Sequence, residues 1–123
     1  MRIPRHEFER LVEEAVEGLP EDFLEKLENV QIVVEDSPTP DDLDHRRLPP
    51  GHLLLGLYRG VPLTKRSVFA VPALPDRITI FQRSVERIAR TPQAIVAEVR
   101  RTVLHEIAHH FGISDQRLRE LGY

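Results

Sequence analysis

Cysteine is absent from the 123 residues. That excludes a disulfide framework, a thiol nucleophile, a Cys-ligated zinc ribbon and an iron–sulfur cluster. Any metal must therefore be held by His, Asp or Glu. No run approaches the roughly 20 apolar residues that a membrane helix needs. The start, Met1-Arg2-Ile3-Pro4-Arg5-His6-Glu7, has no apolar signal core, so the expected compartment is the cytoplasm. A net basic charge is also lacking: 17 Lys and Arg stand against 20 Asp and Glu, a net of −3. A dedicated nucleic-acid binder should carry a basic footprint, so none is expected here, and no membrane partner either.

The length suits one domain, since compact domains most often run to about 100–150 residues. Charge is unevenly placed. Residues 1–44 hold 14 acidic and 4 basic side chains, a net of −10; residues 45–123 hold 6 and 13, a net of +7. The expected arrangement is acidic helices packed beside a basic remainder, with charges facing each other or water.

Phe8, Leu11, Val12, Ala15 and Val16 recur at three and four residues, which predicts an amphipathic helix from Arg5 closed by Gly18. A short helix follows Pro20, with Phe23, Leu24 and Leu27 inward. Gln31–Glu35 is β-branched and reads as a strand. Residues 36–52 carry Pro38, Pro40, Pro49, Pro50 and Gly51 and read as a long loop: a lid, a binding loop or a mobile connection. Strands are expected at Leu53–Tyr58 and Arg77–Phe81, with a third extended piece at Ser67–Val71. Gln82–Arg90 reads as a helical turn or two. Thr91 and Pro92 are the N-cap and first residue of the longest helix, which runs to Phe111 and stops at Gly112. Ser114 or Asp115 caps a last short helix. Helices, then strands, then helices imply an α+β domain with a small mixed or antiparallel sheet.

The long helix contains His105-Glu106-Ile107-Ala108-His109, an H-E-x-x-H string. Residues four apart on a helix share a face, with Cβ atoms about 5–6 Å apart, so both imidazoles reach one zinc at about 2.0–2.1 Å. Glu106 stands beside the first ligand and can take a proton from a zinc-bound water, whose pKa the ion lowers to about 7. Ile95, Val99, Val103, Ile107 and Phe111 cover one arc of the helical wheel. His105 and His109 lie about 160° from its centre. The helix thus has an apolar side for the core and a separate His side, where Glu98 and Thr102 also fall.

The full string is H-E-x-x-H-x-x-G-x-x-D. A continuous helix would carry residue 115 about 9 Å beyond His109. Glycine takes a left-handed conformation cheaply, so the chain can turn at Gly112 and return Asp115 as third ligand. Three protein ligands leave the open position a catalytic zinc requires. Asp115 has an alternative role as N-cap of the last helix. His110 lies off the metal face and reads as a polar neighbour. His6, His45 and His52 read as surface or loop. Tyr58 and Tyr123 carry phenols suited either to an oxyanion or to packing.

His105–Asp115 resembles the metzincin pattern of zincin metallopeptidases, with Asp in place of the third His. It looks more like the small bacterial zincin-like metallopeptidases, or minimal zincins, whose Gly-Ile-Ser-Asp ending is similar to Gly112–Asp115. Leu57–Leu63 and Pro75–Ile80 also look like that family, so the resemblance spans roughly residues 53–123. It implies zinc held by His105, His109 and Asp115, Glu106 as base, a peptide or protein substrate, and a zincin-like α+β fold. It further implies a strand bordering the substrate cleft, for which Ile78–Phe81 is the candidate. The only methionine is Met1, so the methionine turn of larger metzincins is missing. Eight residues follow Asp115, too few for a lower cleft wall; a loop or a protein partner is expected to complete it. Two other readings remain open. One is a metal-dependent endoribonuclease, since an rRNA-processing family carries H-G-x-x-H-x-x-G-x-D-H; Glu106 in place of that Gly speaks against it. The other is a non-catalytic zinc-binding interaction module.

Overall fold

A computed structural model describes residues 2–46, 53–60 and 75–123. The elements in order are α1 (Arg5–Glu17), α2 (Glu21–Lys26), β1 (Val30–Glu35), α3 (Pro40–Arg46), β2 (Gly56–Arg59), β3 (Asp76–Phe81), α4 (Gln82–Ile88), α5 (Pro92–Phe111) and α6 (Asp115–Glu120). The sheet order is β1-β3-β2, with β1 parallel to β3 and β2 antiparallel to it. The expected α+β architecture with a mixed sheet is what forms. The extended piece expected at Ser67–Val71 lies outside the described residues.

The apolar stripes account for the packing. α1 buries Phe8, Leu11, Val12 and Ala15 against α5, which buries Ile95, Val99, Val103 and Ile107. Ile78 and Ile80 of β3 complete this core from the sheet. Period two turns Thr79 and Phe81 to the opposite face, where Phe81 joins Leu54 and Leu57 in a smaller cluster. Phe23 is buried as expected, whereas Leu24, read as inward, is 36% exposed. α2 is only six residues long, and its inward face is filled by Phe23.

Some basic side chains of the second half contact the acidic first half. Arg100 of α5 donates to the carbonyls of Ala15 at 3.0 Å and Glu14 at 3.3 Å, the unpaired end of α1. Gly18 makes room for that guanidinium, because a Cβ there would stand 2.2 Å from it. Arg117 reaches Asp22 at 3.3 Å, and Arg59 pairs with Asp42.

Residues 36–52 are not one loop. α3 occupies Pro40–Arg46. Thr39 Oγ1 accepts from Asp42 N–H at 3.2 Å, and Asp42 Oδ2 accepts from Thr39 N–H at 2.8 Å, a reciprocal cap. Thr39-Pro40-Asp41-Asp42 therefore carried a helix-start signal that the surrounding prolines obscured. Burial pushes the Asp42 carboxyl up, but the Thr39 hydrogen bonds and Arg59 outweigh it and hold it below the usual carboxylate range.

Candidate metal centre

α5 presents the motif as its caps dictate. Thr91 is the N-cap, its hydroxyl accepting from Ala94 N–H at 3.1 Å, and Pro92 opens the helix. Twenty residues later Gly112 ends it in the left-handed region, φ 69° and ψ 28°. The N–H of Gly112 and that of Ile113 both return to the Ala108 carbonyl. The turn expected at Gly112 is therefore present.

His105 and His109 come together on one face, their ring centroids 6.2 Å apart and their planes crossed at 73°. His105 is half-buried and His109 is 57% exposed. The pair suits zinc in donor type, and the two rings must close somewhat further for one tetrahedral ion to be bonded at about 2.0–2.1 Å by a nitrogen of each. Asp115 is not drawn into the same group. It is the first residue of α6, exposed, directly after the N-cap Ser114, whose hydroxyl accepts from Arg117 N–H at 3.2 Å. Capping thus falls to Ser114, and the Asp115 carboxylate is not the cap. Among the described residues, no three His, Asp or Glu side chains are gathered closely enough to hold a metal.

Glu106 differs sharply in environment from its neighbours. It is only 4% exposed. Its Oε1 accepts from the backbone N–H of Tyr58 on β2 at 2.9 Å, and its Oε2 faces His109 Nδ1 at 4.0 Å. A buried carboxylate is tolerated only when hydrogen-bonded, and a strand amide supplies that bond here.

Close approach of β2 to α5 makes the bond geometrically possible. A Cβ at Gly56 would stand 2.7 Å from Thr102 Cγ2 and 3.0 Å from the Thr79 carbonyl. Thr102, one of the two polar residues on the His side, therefore packs its methyl on the strand. Its hydroxyl donates to the Glu98 carbonyl at 2.8 Å.

β2 also corrects the expected cleft strand. Ile78–Phe81 belongs to β3, which pairs on both sides and offers no free edge. Among the described residues, β2 is the outer strand on the α5 side. Phe81 N–H donates to the Leu55 carbonyl at 2.9 Å, so alternation turns the backbone groups of Gly56 and Tyr58 away from β3. An open cleft of about 310 Å3 lies here, between Leu53–Gly56 on one side and Thr102, His105, Glu106 and His109 on the other.

The Tyr58 phenol, one candidate for an oxyanion, is committed elsewhere. Its hydroxyl donates to Asp76 Oδ2 at 2.8 Å. Its ring stacks on His110 at 3.8 Å and 15°. His110 Nε2 lies 3.9 Å from the same Asp76 oxygen. Sequence periodicity had shown only that His110 leaves the metal face; its clamp on β2 depends on Tyr58 and Asp76, 52 and 34 residues earlier. Tyr123 packs against the main core. His6 is exposed; the His45 side chain and His52 lie outside the described residues.

An H-E-x-x-H helix beside the outer strand of a small mixed sheet defines the zincin-like class. The sequence profile of the zincin-like metallopeptidases matches residues 27–123, and the chain belongs to that family. Among solved structures it is similar to a conserved hypothetical protein from T. thermophilus. The two share 29% identity with a TM-score of 0.57, over 89% of this chain and 94% of the other. No curated protein matches the chain. Among the described residues, no helix is long and apolar enough to cross a membrane.

Proposed function

We propose that this protein is a zinc-dependent peptide hydrolase in which Glu106 is the general base and His105, His109 and Asp115 are the metal ligands. The observation that carries the reading is the setting of Glu106. It is a buried carboxylate anchored through Oε1 by a strand amide and directed through Oε2 toward the His face. Bound zinc would supply a Lewis acid that polarises a carbonyl and lowers the pKa of water to about 7.

The protein's own groups do the rest. Glu106 takes a proton at Oε2 and returns it to the leaving amine, while the Tyr58 amide keeps the carboxylate from rotating away. Gly56 turns its N–H and C=O to the edge of β2 that no described strand covers, so an extended peptide pairs there, at Leu54–Gly56. Pairing does not extend to the Tyr58 N–H, which Glu106 occupies. Leu53–Leu55 give that end of the cleft an apolar wall, and Arg101 lines it with a cation. Asp115 joins the histidines through a change of backbone conformation at Gly112, the left-handed junction between α5 and α6.

The test is Glu106→Gln, measured by elemental analysis and by cleavage of a mixed peptide library. The expected result is about one zinc per chain retained with cleavage abolished. Cleavage at the wild-type rate would remove Glu106 from the chemistry. Cleavage of RNA by the wild type, with no peptide cleaved, would replace the reading with an endoribonuclease.

A further inference from the structure

A second constellation shares no residue with the metal centre. Arg2, Arg83, Arg87 and Arg90 line one open cavity of about 410 Å3, with Glu86 in the same wall. Helical spacing explains part of it: Arg83 and Arg87 lie four apart on α4, and Arg90 follows three later. Arg2 arrives by a different route. Buried Gln82 and Glu86 grip both backbone groups of Ile3. The Ile3 N–H donates to Glu86 Oε2 at 2.9 Å, and Gln82 Nε2 donates to the Ile3 carbonyl at 2.9 Å. Two buried polar side chains thus pin the residue next to Arg2 against α4.

Glu86 does not neutralise the group. Its carboxylate already accepts from Ile3 N–H, from the Gln82 amide at 3.2 Å and from Arg83 at 3.0 Å. Among the described residues its ion pair is with Arg83. The ion pairs among the described residues leave out Arg2, Arg87 and Arg90. Three uncompensated guanidiniums around one concavity repel each other and attract an anion.

We infer that this cavity binds a small oligophosphate, of the pyrophosphate or tripolyphosphate type. Three unpaired positive charges call for more than one negative charge, which a monocarboxylate does not carry. Planar guanidinium forks match phosphate oxygens in bidentate geometry. The volume falls in the range of small-ligand cavities. Among the described residues the lining is Arg and Glu, with no aromatic ring to stack a base. The recognised moiety is therefore the phosphate chain and not a nucleobase or a single-stranded nucleic acid.

The experiment is isothermal titration of the full-length protein with tripolyphosphate at fixed ionic strength. It is run on wild type, on the Arg87→Gln/Arg90→Gln double variant, and on Arg10→Gln, an exposed α1 residue that removes a charge elsewhere. Saturable binding is expected, weakened by about tenfold or more in the double variant, because each charge-assisted hydrogen bond contributes measurably. Arg10→Gln should bind like wild type. All the replaced side chains are exposed, and circular dichroism checks that each variant folds. No saturable binding, or equal binding by the double variant, overturns the proposal. Binding lost instead on His105→Ala also overturns it, because the anion would then sit at the metal centre. Tighter binding of oligouridylate than of tripolyphosphate would make the cavity a nucleic-acid surface.

Discussion

Tyr58 N–H donates to Glu106 Oε1 at 2.9 Å, a bond between an outer strand and the H-E-x-x-H helix across 48 residues of sequence. It uses a backbone group, so its survival depends on where β2 lies and not on the side chain at position 58.

Tyr58→Phe tests that distinction. The variant loses the 2.8 Å bond to Asp76 but keeps the ring on His110 and the amide on Glu106. A stability loss of about 1 kcal/mol is expected in urea unfolding, with peptide cleavage largely retained. A fall in cleavage as deep as that of Glu106→Gln would instead give the phenol a direct part in the chemistry.

Gly56→Ala should do the reverse. Its Cβ would meet Thr102 Cγ2 at 2.7 Å and the Thr79 carbonyl at 3.0 Å, so β2 or the Thr102 side chain must shift. Overpacking of this kind costs about 1–3 kcal/mol. Turnover should fall while zinc content stays unchanged, since His105 and His109 reside on α5 alone. Unchanged turnover and Tm would show that the strand does not need its close approach.

Gly112→Ala meets no atom within 4 Å, so its cost is purely one of backbone conformation. At φ 69° that cost is about 1 kcal/mol, and Asn should recover part of it. Zinc affinity should weaken in step if Asp115 is a ligand, because the turn sets its return path. A competition titration with a chromophoric chelator reads this out; unaltered affinity in both Gly112→Ala and Asp115→Ala would remove Asp115 from the ligand set.

Thr79→Val should stabilise. The Thr79 hydroxyl is buried and has no hydrogen-bond partner among the described residues. Replacing it with a methyl of similar shape removes a desolvation penalty, for a gain of about 1 kcal/mol in thermal unfolding. A loss of stability would reveal a partner for that hydroxyl.

Acid should destabilise the fold through two carboxylates. Burial raises Glu86, but Ile3 N–H, Gln82 and Arg83 outweigh it and hold it below its usual range; Asp42 behaves likewise. A depressed folded pKa gives stability that is complete above the unfolded value of about 4 and is lost as pH falls through the folded value. Urea midpoints should therefore drop below about pH 4. The drop should be shallower in Glu86→Gln, and an identical slope would exclude Glu86 as a contributor.

Much of the molecule follows from local rules. α1 and α5 appear where apolar spacing and caps put them, because Thr91, Pro92 and Gly112 act within a turn of the backbone they control. α3 was equally local, in Thr39-Pro40-Asp41-Asp42, and was hidden by reading proline density as loop when Pro40 is a helix start. The strands were harder. Leu53–Leu55 looked as strand-like as Gly56–Tyr58, yet β2 begins only at Gly56 and extends to Arg59, where β3 supplies its partners.

By itself the sequence determined that His105 and His109 share one face, because they stand four residues apart on a helix. It also determined where the helix stops, because only glycine adopts the φ of residue 112 without strain. Tertiary structure decided which strand borders the H-E-x-x-H helix and what holds Glu106. Strand order is a non-local choice: β3 lies between β1 and β2, which places β2, not Ile78–Phe81, beside the cleft. The burial of Glu106 and its bond to Tyr58 arise only from that placement, since no local pattern encodes a hydrogen bond between a helix carboxylate and the amide of a distant strand.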